Sequence, residues 1–127
     1  MLTVKSIEEP ANSEDGLRIL AARYRGRGLS KSKYHVWMAS LGPSEKLLHM
    51  HAKIPWRDWS SRYRAEVLSD AAEKPNPLIR NAGQKFTLRL IKHLASKQNV
   101  TLLCHCAPGK KDCHRFLLRD LIRSTKI

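Results

Sequence analysis

The feature that most constrains the fold is a junction near the end of the chain, where an apolar run leads through a loop into an amphipathic segment. The run Val100–Cys104 is almost wholly apolar, which is typical of a parallel strand buried on both faces. The pattern over 112–123 then predicts a helix whose apolar side carries Leu117, Leu118, Leu121 and Ile122. A buried strand that passes directly into a helix indicates an α/β domain.

The rest of the chain supplies further elements of such a domain. Strands are predicted over 2–7, 17–22 and 34–41. Helices are predicted from Ser44, over 55–68 and over 83–97, and prolines predict a turn over 74–77. The residues of the helix over 55–68 that should face the core are Trp59, Tyr63, Val67 and Leu68. Those of the helix over 83–97 are Phe86, Leu90, Ile91 and Leu94. With 127 residues, we expect one domain over 1–127: a small three-layer α/β domain whose short, mainly parallel sheet is flanked by helices.

The charge balance points to an anionic partner. The chain has 24 Lys and Arg against 11 Asp and Glu, a formal charge of +13. A surplus of this size attracts polyanions, so we expect nucleic acid (DNA or RNA) or a phosphorylated small molecule as partner. A basic surface that serves only solubility is the alternative. The sequence contains no apolar stretch long enough for a membrane span and no signal-peptide layout, so we expect no membrane partner and a cytoplasmic protein.

Two groups of cations are candidates for binding an anion. The first surrounds Tyr24, whose ring could stack on a base while the neighbouring cations hold phosphates. The second is a lysine pair after Gly109, in the loop before the last helix. The candidate anion-binding or nucleic-acid-binding residues are Arg23, Arg25, Arg27, Lys31, Lys110 and Lys111.

The loop at the strand–helix junction is the candidate reactive site, because it holds every cysteine of the chain. A cysteine at a helix start beside cations has a lowered pKa, which describes Cys113 next to Arg115. The segment His105-Cys-Ala-Pro-Gly109 also resembles the phosphate-binding loop of cysteine phosphatases, but Asp112 stands where that loop needs arginine. A phosphatase is therefore not expected. The candidate catalytic residues are Cys106, Cys113, His114 and Arg115.

The same residue types could instead hold a metal. Cys104, Cys106, Cys113 and His114 have side chains that ligate zinc, although their spacing is not that of a common zinc knuckle. We expect no cofactor, with zinc as the alternative. Elsewhere, Trp37, Trp56 and Trp59 predict core packing. His49 and His51 are interpreted as a structural pair.

Several motifs occur in the order found in a known family. The segment Gly16-Leu-Arg-Ile-Leu-Ala-Ala-Arg-Tyr-Arg-Gly-Arg-Gly-Leu-Ser-Lys31, together with Leu41-Gly-Pro-Ser44, resembles the YeaO-like proteins, a family of domains of unknown function. Gly26 stands where that family commonly has proline. The Leu-Leu-Cys104 and Cys113-His-Arg115 motifs are similar to those of the wider group and of small phage and bacterial proteins. The resemblance implies an α/β fold, no established activity, and functional roles for Arg23, Arg27, Lys31, Cys104, Cys113, His114 and Arg115.

Two hypotheses about function follow. In the first, the protein binds nucleic acid or a nucleotide-like anion and processes it at a pocket of cysteine, histidine and arginine side chains. In the second, it is a non-catalytic nucleic-acid-binding module whose Cys/His cluster is structural, with or without zinc.

Overall fold

The computed structural model describes residues 1–69, 83–124 and 127, and within them the chain forms four strands and four α-helices. The strands are β1 (Leu2–Ser6), β2 (Leu17–Leu20), β3 (Val36–Trp37) and β4 (Val100–Cys104). The helices are α1 (Glu45–Met50), α2 (Trp56–Val67), α3 (Lys85–Ala95) and α4 (His114–Arg123). The prediction of an α/β domain is confirmed. The predicted turn over 74–77 lies outside the described residues. None of the described helices is long and apolar enough to cross a membrane.

The sheet is parallel throughout and has the order β1-β4-β2-β3. Its centre is β4, in which Leu102 pairs with Val4 on one side and with Ile19 on the other. All five residues of β4 are buried, as the apolar run predicts. Because the strands are parallel, their carboxyl ends meet at one edge of the sheet, where α/β proteins place their ligands.

The helices cover one face of this sheet. A single core joins Ile19, Val100 and Leu102 to apolar residues of α1, α2, α3 and α4. Alternate residues of the strands point to the opposite face, where Leu20 and Leu103 pack with Ile7 and Ala22 against Leu29 and Tyr34. The loops after β1 and β2 therefore form the second cover of the sheet.

The loop-covered face also contains a buried ion cluster. The Asp15 carboxylate accepts hydrogen bonds from the Lys5 ammonium, at 3.1 Å, and from the Arg18 guanidinium. The Thr101 hydroxyl of β4 donates to the Asp15 carbonyl at 2.8 Å. These bonds connect Lys5 of β1 to Asp15 and to the amino-terminal halves of β2 and β4.

Two details differ from the sequence predictions. Strand β3 is shorter than the predicted 34–41, because the Leu41 N–H bonds back to the Met38 carbonyl and turns the chain away from the sheet. In α3, the buried residues are Leu88 and Ile91, whereas Phe86 and Leu90 are exposed. The predicted inward face is confirmed for Ile91 and Leu94, which pack in the core. It was wrong for Phe86 and Leu90, since Phe86 lies about 200° around the helix axis from the buried Leu88.

Candidate functional site

Two loops meet at the carboxyl edge of the sheet. One follows β2 and the other follows β4, and these strands are neighbours. The His105 ring donates from Nε2 to the Tyr24 carbonyl at 3.0 Å, which joins the loops. Gly26 has a φ of +89°, and a Cβ built there would lie 3.1 Å from the His105 ring. Glycine therefore permits both the backbone turn and the close approach of the loops.

The three cysteines form one cluster behind this junction. Cys104 ends β4 and Cys113 is the N-cap of α4, and their sulfurs are 3.2 Å apart. The Cys106 sulfur completes a group in which all three sulfurs lie within 4.8 Å of one another. Cys104 and Cys113 are buried, whereas Cys106 is half-buried. A reagent arriving from solvent therefore meets the Cys106 sulfur first.

Arg115 lies buried beneath the cluster, 2% exposed. Its guanidinium donates to the Cys104 sulfur at 3.0 Å and to the Cys106 carbonyl at 3.3 Å. It also donates to the carbonyls of Ala107, Pro108 and Lys110 at 3.2–3.4 Å. The loop therefore turns its carbonyls toward a cation, which is the reverse of a loop that holds phosphate with its N–H groups.

The electrostatics of the cluster concentrate negative charge on the accessible sulfur. The pKa of the Cys106 thiol is lowered to about 2, because the Cys104 and Cys113 thiols donate hydrogen bonds to its sulfur and positive charges, including Arg115, lie close by. The pKa values of Cys104 and Cys113 are raised, since each thiol acts as a donor within the cluster. The three thiols titrate as one coupled group, and the shifts favour negative charge on the Cys106 sulfur.

A pocket of about 420 Å³ opens over the cluster, a volume within the range of small-ligand sites. Its ionisable lining consists of histidine, cysteine, tyrosine, arginine and lysine side chains, and no described aspartate or glutamate lines it. It is lined by Ala22, Arg23, Tyr24, Pro43, Leu48, His51, Trp59, His105, Cys106, Lys110, Cys113 and His114. The lining is therefore suited to an anion that also carries apolar or aromatic surface.

The three histidines of the pocket are held in the same way. The Nε2 atoms of His51, His105 and His114 lie 3.1, 3.0 and 2.5 Å from the backbone carbonyls of Asp112, Tyr24 and Ala21. A carbonyl only accepts, so each Nε2 carries a hydrogen and each Nδ1 is the second, proton-accepting nitrogen. In His114, Nδ1 is 3.9 Å from the Cys113 sulfur, and burial lowers the pKa of the ring.

The predicted anion-binding residues divide into two groups. Arg23 and Lys110 line the pocket, and Arg23 is oriented by its bonds to the carbonyls of Gly42 and Pro43. Arg25 is half-buried and donates to the Leu29 carbonyl and the Tyr34 hydroxyl. The remaining predicted cations are exposed and do not line the pocket: Arg27, Lys31 and Lys111.

The predicted catalytic and metal-binding residues also divide. Cys106, Cys113 and His114 line the pocket, whereas Arg115 lies behind it. The predicted metal ligands Cys104, Cys106 and Cys113 come together, and His114 is outside their group. His51, interpreted from sequence as structural, lines the pocket. A polar residue directly after a short helix was the available signal for it, and that signal is weak.

Comparisons with known proteins give a family and one partial relative. The DUF488-N3a family, described as the active DUF488-N3 subclade, matches residues 2–126. The argininosuccinate synthase of Oleidesulfovibrio alaskensis (strain ATCC BAA-1058 / DSM 17464 / G20) is 31% identical over 85 residues, which cover 67% of this chain. The same alignment covers 20% of the synthase, so the chain spans about a fifth of that relative's length. No solved structure matches. The prediction of an uncharacterised domain family is confirmed, and the finer resemblance to YeaO-like proteins stays a prediction.

Proposed function

The chain belongs to the DUF488-N3a family, and from that premise we propose that its pocket binds a nucleotide-like anion that Cys106 then attacks. The observation that carries this proposal is the position of the Cys106 sulfur. It is the half-buried member of a cluster whose other two sulfurs are buried, and it lies in a pocket lined by cations and imidazoles. A thiolate that is stabilised by buried neighbouring groups and accessible from the pocket is arranged for nucleophilic catalysis. The description of the family as an active subclade agrees with an enzyme.

The cations of the pocket provide the anion specificity. Arg23 and Lys110 line it, and no described carboxylate residue is part of the lining. They would hold the phosphate of the ligand, while the apolar walls formed by Leu48 and Trp59 would contact its uncharged part. The synthase relative does not enter this proposal, because the alignment covers only 20% of it.

In the proposed reaction, the Cys106 sulfur forms a bond to an electrophilic carbon or phosphorus of the ligand. The bond to the leaving oxygen or nitrogen breaks with its electron pair, and the leaving atom takes the proton that the Cys106 thiol has given to a pocket imidazole such as His51. Water then attacks the covalent intermediate, gives a proton back to the imidazole and releases the thiolate. The net change is hydrolysis, with no oxidant or reductant consumed.

The proposal is tested by alkylation of metal-free protein with iodoacetamide, followed by peptide mass spectrometry. Cys106 should react first, and nucleoside monophosphates should protect it. Replacement of Lys110 by alanine should weaken the protection, because this side chain lines the pocket. The matched control is Lys111→Ala, which removes an exposed neighbour outside the pocket. Equal alkylation of all three cysteines, or no protection by any nucleoside monophosphate, would contradict the proposal.

A second candidate function is favoured by the geometry of the sulfurs. Three soft donors within 4.8 Å of one another fit a metal such as zinc. Three thiolates, one divalent ion and the Arg115 guanidinium would together be neutral. Bound zinc would hold the β4–α4 junction together or would polarise a ligand or water. The protein would then be the non-catalytic nucleic-acid-binding module, or a metal-dependent enzyme.

Elemental analysis of protein purified under reducing conditions separates the two candidates. About one equivalent of zinc, lost in Cys104→Ser, would support the metal site. Absence of metal together with rapid alkylation of Cys106 would support the nucleophile. Either candidate agrees with a cytoplasmic location, which we also propose, because free thiols persist in a reducing compartment.

A further inference from the structure

Two exposed aromatic rings are connected to the lining of the pocket. Tyr24 lines the pocket and is 55% exposed. Trp37, at the carboxyl end of β3, is 42% exposed, although tryptophan predicts core packing. Its indole N–H donates to the carbonyl of Ala22, itself a pocket residue, at 2.8 Å. The polar atom of Trp37 is thus satisfied within the protein, and its ring is held in place as a solvent-facing surface.

Cations that make no described contact lie on the segment between these rings. Arg27, Lys31 and Lys33 are exposed. Among the hydrogen bonds and ion pairs of the described residues, none involves these three side chains. They contrast with Arg25 of the same loop, whose guanidinium is held by the Leu29 carbonyl. A small ligand inside the pocket would leave the three exposed cations unused.

We propose that the ligand of the pocket is one nucleotide of a single-stranded nucleic acid, which lies across Tyr24 and Trp37. This inference rests on the proposed function and names its substrate class. Aromatic rings interleaved with cations bind single strands by stacking on bases and holding phosphates. The pocket volume of about 420 Å³ admits one nucleotide and excludes a duplex. The target base must therefore be unpaired, as in other enzymes that act on a base taken out of the stack.

The test is fluorescence anisotropy with a labelled single strand of about 12 nucleotides, in DNA and RNA forms, and with a duplex of the same sequence. The single strand should bind more tightly than the duplex, and its affinity should fall with salt between about 50 and 200 mM. Replacing Trp37 by alanine should weaken binding by about tenfold, as the loss of one stacked base does. Trp37→Phe should restore most of the loss, which separates stacking from a folding defect.

Further variants test whether binding depends on the surface formed by Tyr24, Trp37 and the exposed cations between them. Phe86→Ala removes a ring that is 61% exposed on α3, outside the pocket, and should leave binding unchanged. Tyr24→Ala should weaken binding as Trp37→Ala does. The double variant Arg27→Ala, Lys31→Ala should reduce the salt dependence of binding, because each phosphate contact contributes to that slope. Equal effects of Phe86→Ala and Trp37→Ala, or a duplex bound as tightly as the single strand, would overturn the inference.

Alkylation of Cys106 distinguishes this inference from the proposed function. If the oligonucleotide both binds and protects Cys106, the inference is supported. If nucleoside monophosphates protect Cys106 but the oligonucleotide neither binds nor protects, the inference fails and the proposed function stands. If the oligonucleotide binds without protecting Cys106, no nucleotide enters the pocket, and the inference fails in favour of a binding module.

Discussion

Two buried arginines, Arg18 and Arg115, occupy surroundings of different chemistry. They are 4% and 2% exposed. Arg18 is paired with the Asp15 carboxylate, which also accepts from Lys5. Arg115 contacts the Cys104 sulfur and backbone carbonyls, and no described carboxylate forms an ion pair with it. The charge of Arg18 is thus balanced by a carboxylate. The charge of Arg115 has no such described partner, so it is stabilised when one of the neighbouring thiols is ionised.

This difference distinguishes a structural end of the sheet, which contains Asp15, from the end that we propose is reactive, which contains the three sulfurs. Asp15, Lys5 and Arg18 lie away from the pocket, and none of them lines it. The sulfurs above Arg115 carry a charge that can attack a ligand or hold a metal. A buried cation without a described carboxylate partner therefore lies at the end of the sheet where we propose the functional site.

Asp15→Asn should cause the greatest loss of stability. The variant keeps the shape of the side chain but leaves Arg18 buried without its anion, which costs about 3–5 kcal/mol of unfolding free energy. Urea denaturation measures the loss. The matched control is Asp120→Asn, which breaks the more exposed pair with Arg119 and should cost at most about 1 kcal/mol. Similar losses in the two variants would show that burial of the Asp15 pair contributes little.

Arg115→Met should change both the stability of the protein and the reactivity of Cys106, whereas Arg18→Met should change stability alone. Arg115→Met removes a donor to the Cys104 sulfur and to four loop carbonyls, so we expect about 2–3 kcal/mol of destabilisation. It should also raise the pKa of the Cys106 thiol, and so slow its alkylation at the acid end of the pH profile, because the thiolate loses a nearby positive charge. Arg18→Met is the control, since it should lower stability without changing that rate. An equal slowing in both variants would remove the contrast between the two ends.

Acid should lower the stability of the protein by protonating Asp15 at the structural end of the sheet. Burial by itself would raise the pKa of Asp15, but hydrogen bonds from the Asn12 backbone and Lys5, with help from Arg18, hold it below the ordinary value. A carboxyl with a depressed folded pKa contributes stability above its unfolded pKa of about 4 and loses it as the pH falls further. Urea midpoints measured from neutral pH down to pH 3 should drop less in Asp15→Asn than in the parent protein. Parallel pH profiles would contradict this assignment.

The sequence predicts the strand–loop–helix junction well because its signals are local. Val100–Cys104 is apolar except for Thr101 and becomes the buried central strand. The predicted helix over 112–123 begins at His114 in the structure, because Cys113 adopts an extended conformation as the N-cap. Arg115 also carried a usable signal. It stands three residues before Leu118 and seven before Ile122, on the apolar side of α4, so its burial follows from helical spacing.

The rest of the site depends on contacts that no local pattern encodes. The meeting of the loops after β2 and β4 requires that these strands be neighbours, which the sequence does not specify. His51 enters the pocket because α1 ends beside the loop that contains Asp112, whose carbonyl accepts from the ring. The failed prediction for Phe86 has a similar origin, because α3 has apolar residues on more than one side and packing selects among them.

The smallest expected effect tests whether the two loops of the reactive end depend on each other. Gly26 and Gly28 both have positive φ values, of +89° and +73°, but only a Cβ at Gly26 would meet a neighbour, the His105 ring at 3.1 Å. Alanine at either position should cost about 1 kcal/mol from backbone strain. Gly26→Ala should in addition displace His105 and change the alkylation rate of Cys106, while Gly28→Ala should not. If both variants alkylate at the parental rate, the loop after β2 does not position the sulfur, and the reactive end is confined to the β4–α4 junction.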